Sequence, residues 1–384
     1  KTKIEKYWDY SAPDYAKTFI GRQQQFKDLL IDSLRLRQRS DVPLGAMLSG
    51  GLDSSAIVTL IQEHINKDIQ SFSVVSNEKN YSEESFVDIL INEKGINNKK
   101  LRFNSELALE NIHTVLNHQD EPFASMSVVA QYLLFKKIKN ETNIKVLFSG
   151  QGADEVLMGY KKFYFMHLQE LLRKRKIFTL MNSVGASFLK GTTIKEFSWN
   201  EAKRYLPGKV GKGRDYFNKE FNDIPIWSSR NLSLRQIEDI DKYSVPILAH
   251  FEDRNSMANS LEVRLPFLDF RLVNFLVHAP IEDKLKGGWT KYILRESINE
   301  MPKAIRWRKD KTGFITPEEK WLKGKLGTKI TNDFQARSLL SEMGILDPEK
   351  FTKSLKRYQN SSGWLNSKDY ISIYITELWL RKNF

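Results

Sequence analysis

Apolar residues recur in two rhythms along the chain. Leu44 to Leu48 is a short apolar run that ends in Ser49-Gly50-Gly51, and Ser54 to Ile65 then repeats apolar residues at helical spacing through Ala56, Ile57, Leu60 and Ile61. The pattern predicts strand, glycine turn, helix. Ile69 to Val75 reads as a second strand, Glu83 to Ile91 as a helix, Lys100 to Phe103 as a short strand, Leu107 to Leu116 and Val128 to Ile138 as helices, and Ile144 to Phe148 as another buried strand. Strands alternating with helices of this length need crossover connections, so the expected fold is α/β, a parallel sheet with helices on both faces.

After Tyr160 the rhythm becomes helical throughout, in Lys161 to Lys176, Leu234 to Phe251 and Lys291 to Asn299, with no convincing strand. Ile371, Ile375, Leu378 and Trp379 share one face of a packed C-terminal helix. The stretch 182–226, rich in Gly, Ser and Lys, is the least regular. The expected division is a lead-in over residues 1–22, an α/β core over 23–160, a helical insertion over 161–230, and a mainly helical part over 231–384 that completes the site. Neither a fixed-period repeat nor a low-complexity tract is present.

Composition narrows the class. The chain has 384 residues, enough for two or three domains, and 41% hydrophobic content argues against disorder. Lys and Arg total 60 against 47 Asp and Glu, a net charge of +13, which admits nucleic acid, an anionic membrane surface or a phosphate-rich small substrate. Of the densest basic runs, those ending at Arg39 and Lys176 read as solvated helix faces. Arg306-Trp307-Arg308-Lys309-Asp310-Lys311 has no apolar period and is the better functional candidate. With no cysteine, disulfides, thiolate metal sites and a cysteine nucleophile are excluded within these residues. The six histidines show no metal-ligand spacing. Neither an apolar run of 18 residues nor a signal core is present, so no membrane contact is expected and the cytoplasm is the default location. The start at Lys1, without Met, reads as a chain that begins inside something longer or was processed.

Two clusters carry chemistry. Ser49-Gly50-Gly51-Leu52-Asp53-Ser54-Ser55 lies where a strand end meets a helix N-terminus, and there free N–H groups and the helix dipole favour an anion. Glycines let backbone approach phosphate, and hydroxyls add donors; no Gly-Lys-Ser/Thr follows, so it is not the common nucleotide P-loop. A carboxylate at Asp53 would repel phosphate unless a cation lay between them, which suggests Mg²⁺ against pyrophosphate. The second cluster, Ser149-Gly150-Gln151-Gly152-Ala153-Asp154-Glu155, follows the last strand of the α/β part. Strand C-termini of a parallel sheet open on one edge, so Asp53 and Asp154 are natural co-ligands.

Both clusters resemble a known family. The first is similar to the pyrophosphate loop of the ATP-pyrophosphatase (PP-loop) superfamily, and the second resembles a signature of its asparagine synthetase branch. Asp253 to Asp269 and Arg308-Lys309-Asp310-Lys311-Thr312-Gly313-Phe314 agree as well, in the family's order, from about Phe26 to Trp321. The resemblance implies a ligase that adenylates a carboxylate, releases pyrophosphate, and lets an amine displace AMP to form an amide, with ATP and Mg²⁺ as cofactors. It implies Mg²⁺ on Asp53 and Asp154, pyrophosphate on Ser49, Gly51, Ser54 and Ser55, with Gly50 in the same ATP-binding loop, and adenosine against Met47, Val74, Ser149 and Gly150. Lys311 resembles the catalytic lysine, with Gln151 and Glu155 beside it as the other candidates for chemistry. Asp253, Arg254, Glu262 and Arg264 would be substrate contacts or a buried ion network that braces helices.

Two departures stand out. The family resembles Ser-Gly-Glu/Asp-Gly where this chain has Gln151, and an amide hydrogen-bonds a substrate but cannot take a proton from an attacking amine. The glutaminase domain that precedes the family's synthetase opens with a cysteine nucleophile, which this chain lacks; a separate glutaminase domain or subunit would supply ammonia. Aspartate with ammonia is the leading substrate pair. Alternatives are a specialised amidotransferase, β-lactam synthetase or peptide cyclase, an RNA-modifying ATP pyrophosphatase, and a domain that kept only the fold. The long Asp253 to Asp269 block argues against the RNA-modifying reading, so nucleic acid is not an expected partner.

Overall fold

The structure, a computed structural model, describes residues 3–5, 7–78, 81–192, 214–222, 231–309, 316–360 and 367–384. A helix α1 (Phe19–Arg37), capped by the Thr18 hydroxyl that accepts from the Gly21 N–H, leads into strand β1 (Leu44–Met47) and helix α2 (Leu52–His64). Then follow β2 (Gln70–Ser76), α3 (Glu84–Lys94), β3 (Asn98–Phe103), α4 (Ser105–Gln119), α5 (Ser127–Glu141), β4 (Val146–Phe148) and the short α6 (Ala153–Val156). These strands and helices stand within a few residues of where the apolar rhythm places them. Helix α4 runs longer than its apolar stripe, and Asn104 caps its start by accepting from the Leu107 N–H.

One strand lies outside the expected α/β unit. β5 (Glu262–Arg264) pairs in parallel with β4, Leu147 opposite Val263, and completes a five-stranded sheet in the order β3-β2-β1-β4-β5. Its three residues alternate too briefly to show a period of two, and its environment is supplied by β4, more than a hundred residues earlier in the chain. The order reverses between β1 and β4, because the chain moves outward from β1 through β2 to β3 before it returns to the other side at β4. A parallel sheet opens a crevice at that switch point, beyond the strand C-termini.

The rest of the described chain is helical, from Lys161–Arg173 to the closing helix Ser367–Asn383, which buries Ile371, Ile375 and Leu378 as its spacing predicts. The core ignores the change of rhythm at Tyr160. Phe26, Ala46, Leu48 and Ile57 pack in one buried cluster with Phe267, Leu272, Leu276, Ile293, Leu294 and Ile298. None of the described helices is long and apolar enough to cross a membrane.

Candidate active site

β1 and β4 each end in a glycine turn, and the two turns face each other across the crevice. Gly50 has φ +81°, a left-handed conformation that suits glycine, and a Cβ there would lie 2.9 Å from the Glu83 carbonyl oxygen. The turn is tied within itself: the Ser49 N–H donates to Ser54 Oγ at 3.1 Å, and the Gly51 N–H donates to Ser49 Oγ at 3.2 Å. Gly51 is the N-cap of α2 and makes no side-chain cap bond, so no capping side chain covers that helix N-terminus. The second turn packs directly on the first, since a Cβ on Gly150 would fall 3.1 Å from the Ser54 nitrogen and 3.2 Å from Asp53 Cβ.

Between the turns lies a cavity of about 470 Å³. Met47, Ser49, Gly51, Asp53, Ser54, Val74, Ser149, Gly150, Gln151, Asp154 and Glu155 all line it. Ser55 does not; it is fully buried in the core side of α2. Gly50 touches the site through its carbonyl, which accepts from Arg308 Nη1 at 2.9 Å. Glu155 is buried beneath the second turn, where the Tyr160 hydroxyl donates to it at 2.6 Å and the Ser244 hydroxyl donates as well. Burial, reinforced by the Asp154 charge, raises its pKa in spite of those two donors.

The expected network of Asp253, Arg254, Glu262 and Arg264 is not one network. Arg254 pairs with Asp120 at 2.7 Å on the surface, Arg264 pairs with Glu262 at 2.6 Å and donates to the Arg37 and Arg39 carbonyls, and Asp253 is exposed. β5 and the helix before it carry these side chains away from the cavity. Lys311 lies outside the described residues.

A group that the sequence reading does not single out stands at the centre. Lys291 Nζ lies 2.5 Å from Asp53 Oδ2 and 2.6 Å from Asp154 Oδ1, with its side chain 3% exposed. Burial opposes its charge, but the two carboxylates outweigh that and hold its pKa above the ordinary lysine value. Gly159 makes room, because a Cβ there would lie 2.0 Å from Asp154 Oδ1 and 2.1 Å from Lys291 Cε. Lys291 itself has φ +53°, uncommon for a side chain of its size and a mark of functional sites. Nothing in Trp289-Thr290-Lys291-Tyr292 signals this; the left-handed backbone is the only clue, and it is invisible in sequence. Two buried arginines add positive charge. Arg295 donates to the Thr290 carbonyl at 2.9 Å, and burial pulls its pKa down to about 10. Arg308 bridges the first turn to Glu83 at 2.6 Å, so the third basic run does reach the site.

The donor set suits a small hard cation. Asp53 and Asp154 offer hard oxygen donors, but the point between them is held by the Lys291 ammonium; a metal would bind their carboxylates only with that ammonium displaced or on other oxygens, and would draw its remaining ligands from phosphate and water, since no group of three or more His, Cys, Asp or Glu assembles among the described residues.

A five-stranded parallel sheet flanked by helices, with a glycine turn and a carboxylate after each switch-point strand, defines an α/β domain of PP-loop type. Within that class the chain belongs to the asparagine synthase family, whose model matches residues 25–381, as a synthetase domain. It is 28% identical over 339 residues to asparagine synthetase (glutamine-hydrolyzing) 1 of Bacillus subtilis, covering 81% of this chain and 52% of that protein. It is 26% identical over 344 residues to asparagine synthetase (glutamine-hydrolyzing) of Cricetulus griseus, covering 84% and 48%. Similarity extends to amidase chyE of Penicillium rubens, 23% identical over 407 residues, covering 89% and 60%. The chain spans about half the length of the two synthetases.

Proposed function

We propose that this chain joins a carboxylate to ammonia or an amine at the expense of ATP. The substrate carboxylate attacks the α-phosphorus, pyrophosphate leaves, and the amine then displaces AMP from the acyl carbon and loses a proton. The observation that carries the reading is the convergence of the Ser49–Ser54 anion turn with the Asp53–Lys291–Asp154 cluster at the β1/β4 switch point. First-turn amides of α2 with Ser49 and Ser54 would hold the leaving pyrophosphate. Met47, Val74, Ser149 and Gly150 would hold the adenosine. Asp53 and Asp154 would hold Mg²⁺, which when bound would supply neutralisation of phosphate charge. Lys291 would place a compact ammonium where negative charge develops in the transition state.

Aspartate and ammonia are the leading substrates, supported by the names of the synthetase relatives. Gln151 in the cavity wall favours a second reading, a family member specialised for another carboxylate. The ammonia would come from a glutaminase domain or subunit other than these residues, which contain no cysteine. The test is pyrophosphate release from ATP across a panel of carboxylic acids that includes L-aspartate, with and without ammonium. Release that depends on one acid or a small related set is expected; release that no acid stimulates would sink the reading.

A further inference from the structure

Gln151 leaves amide formation without a proton acceptor at the place where the family's motif carries a carboxylate. Another carboxyl lines the same cavity. Glu252, on the helix Val245–Ala258, is 3% exposed, and its Oε1 accepts from the Ser149 hydroxyl at 2.8 Å and from the Gln131 amide at 3.2 Å. The same Ser149 oxygen accepts the Gln151 backbone N–H at 3.4 Å, so one hydroxyl separates Glu252 from the second turn. Glu252 Oε2 is buried and has no hydrogen-bond partner among the described residues. A buried acceptor atom left unpartnered costs free energy, and the residue that carries it lines the cavity.

The carboxyl is also held in place. Buried Asn255, fixed by donating to the Val128 carbonyl at 2.9 Å, donates to Gln131 Oε1 at 3.1 Å, which turns the Gln131 nitrogen toward Glu252. Burial pushes the Glu252 pKa up to about 7 against the Ser149 hydrogen bond, in the range where a carboxyl can accept and release a proton at neutral pH.

We propose that Glu252 accepts the proton of the attacking amine, the role that Gln151 cannot fill; this rests on the amide-synthesis reading above. The amine nitrogen bonds to the acyl carbon, its proton passes to the Glu252 carboxylate, the bond from acyl carbon to the AMP oxygen breaks with its electron pair on AMP, and Glu252 returns the proton to water.

The test separates the two half-reactions in Glu252→Gln. Exchange of labelled pyrophosphate into ATP with L-aspartate, or with the panel acid that the wild type activates, reads adenylation alone; amide release with ammonium chloride reads transfer. The variant should keep exchange within about threefold and lose transfer by about a hundredfold or more, the scale of general-base catalysis. With hydroxylamine, a less basic amine that sheds its proton more readily after attack, the variant should recover a larger share of the wild-type rate. If Glu252→Gln shows no melting transition, Glu252→Asp is used instead, and the same split is expected because the shorter carboxyl falls back from the amine. Parallel loss of exchange and transfer, or undiminished transfer, would overturn the inference and leave the amide-synthesis reading standing. A wild type that exchanges with no acid would overturn both.

Discussion

Lys291 shows how little a single residue's neighbours in sequence say about its work. Its ammonium is the shared partner of Asp53 and Asp154, which come from 238 and 137 positions earlier in the chain. Removing it leaves two carboxylates facing each other and takes a positive point charge from the place where phosphate charge must develop. Lys291→Ala should therefore lower pyrophosphate release by about two to three orders of magnitude, as when one transition-state donor is deleted. Lys291→Arg should restore little, because a planar fork does not fit the space of a compact ammonium under Gly159. Steady-state kinetics of both variants check this, and an unchanged rate in Lys291→Ala would remove the residue from the chemistry. By contrast Asp53 and Asp154 stand out in the sequence, because each sits in a local motif of glycines and hydroxyls.

Helices behind the site carry a different signature. Lys284 is fully buried and donates to the Leu276 carbonyl at 2.6 Å and to Gln236 Oε1 at 3.1 Å. Gln236 in turn donates to the Val156 carbonyl at 2.6 Å, so one buried amine links the helix Phe270–His278 to the turn that presents Asp154. Burial pulls the Lys284 pKa down to about 7, although Asp283 and Glu282 oppose the shift. The unfolded chain binds that proton up to its ordinary value of 10.5 and the native chain only up to about 7. Between those values the unfolded state holds more protons, and the lysine's contribution to stability rises with pH; it is lost as pH falls toward 7. Lys284→Met removes the titration. Thermal melts of wild type and variant from pH 7 to pH 10 should show the wild type gaining on Lys284→Met as pH rises, and a constant difference would contradict the buried-amine account.

At the scale of the whole molecule, the boundary that the apolar rhythm draws at Tyr160 is not where the packing divides. β5 comes from residues 262–264, and the cluster under α1 and α2 is filled from 267 to 305. A fragment of residues 1–160 would lack the edge strand beside β4 and expose the core face of α2. It should show no cooperative thermal transition by circular dichroism, while the full chain melts cooperatively. A sharp transition in the fragment would establish the α/β part as an independent domain. Local code in the chain carries four of the five described strands, as apolar runs closed by turns, the longer helices, through their 3.6 period, and the two glycine turns with their carboxylates. β5 depends on packing between distant segments, since its three residues become a strand because β4 offers its edge. The fold likewise brings Lys291, Arg295, Arg308 and Glu252 around one cavity and keeps Asp253, Arg254, Glu262 and Arg264 off its wall. The reason is physical: hydrophobic period and turn chemistry act between neighbours in the chain, whereas burial, a shared counter-charge and a pKa depend on which distant segments the fold brings together.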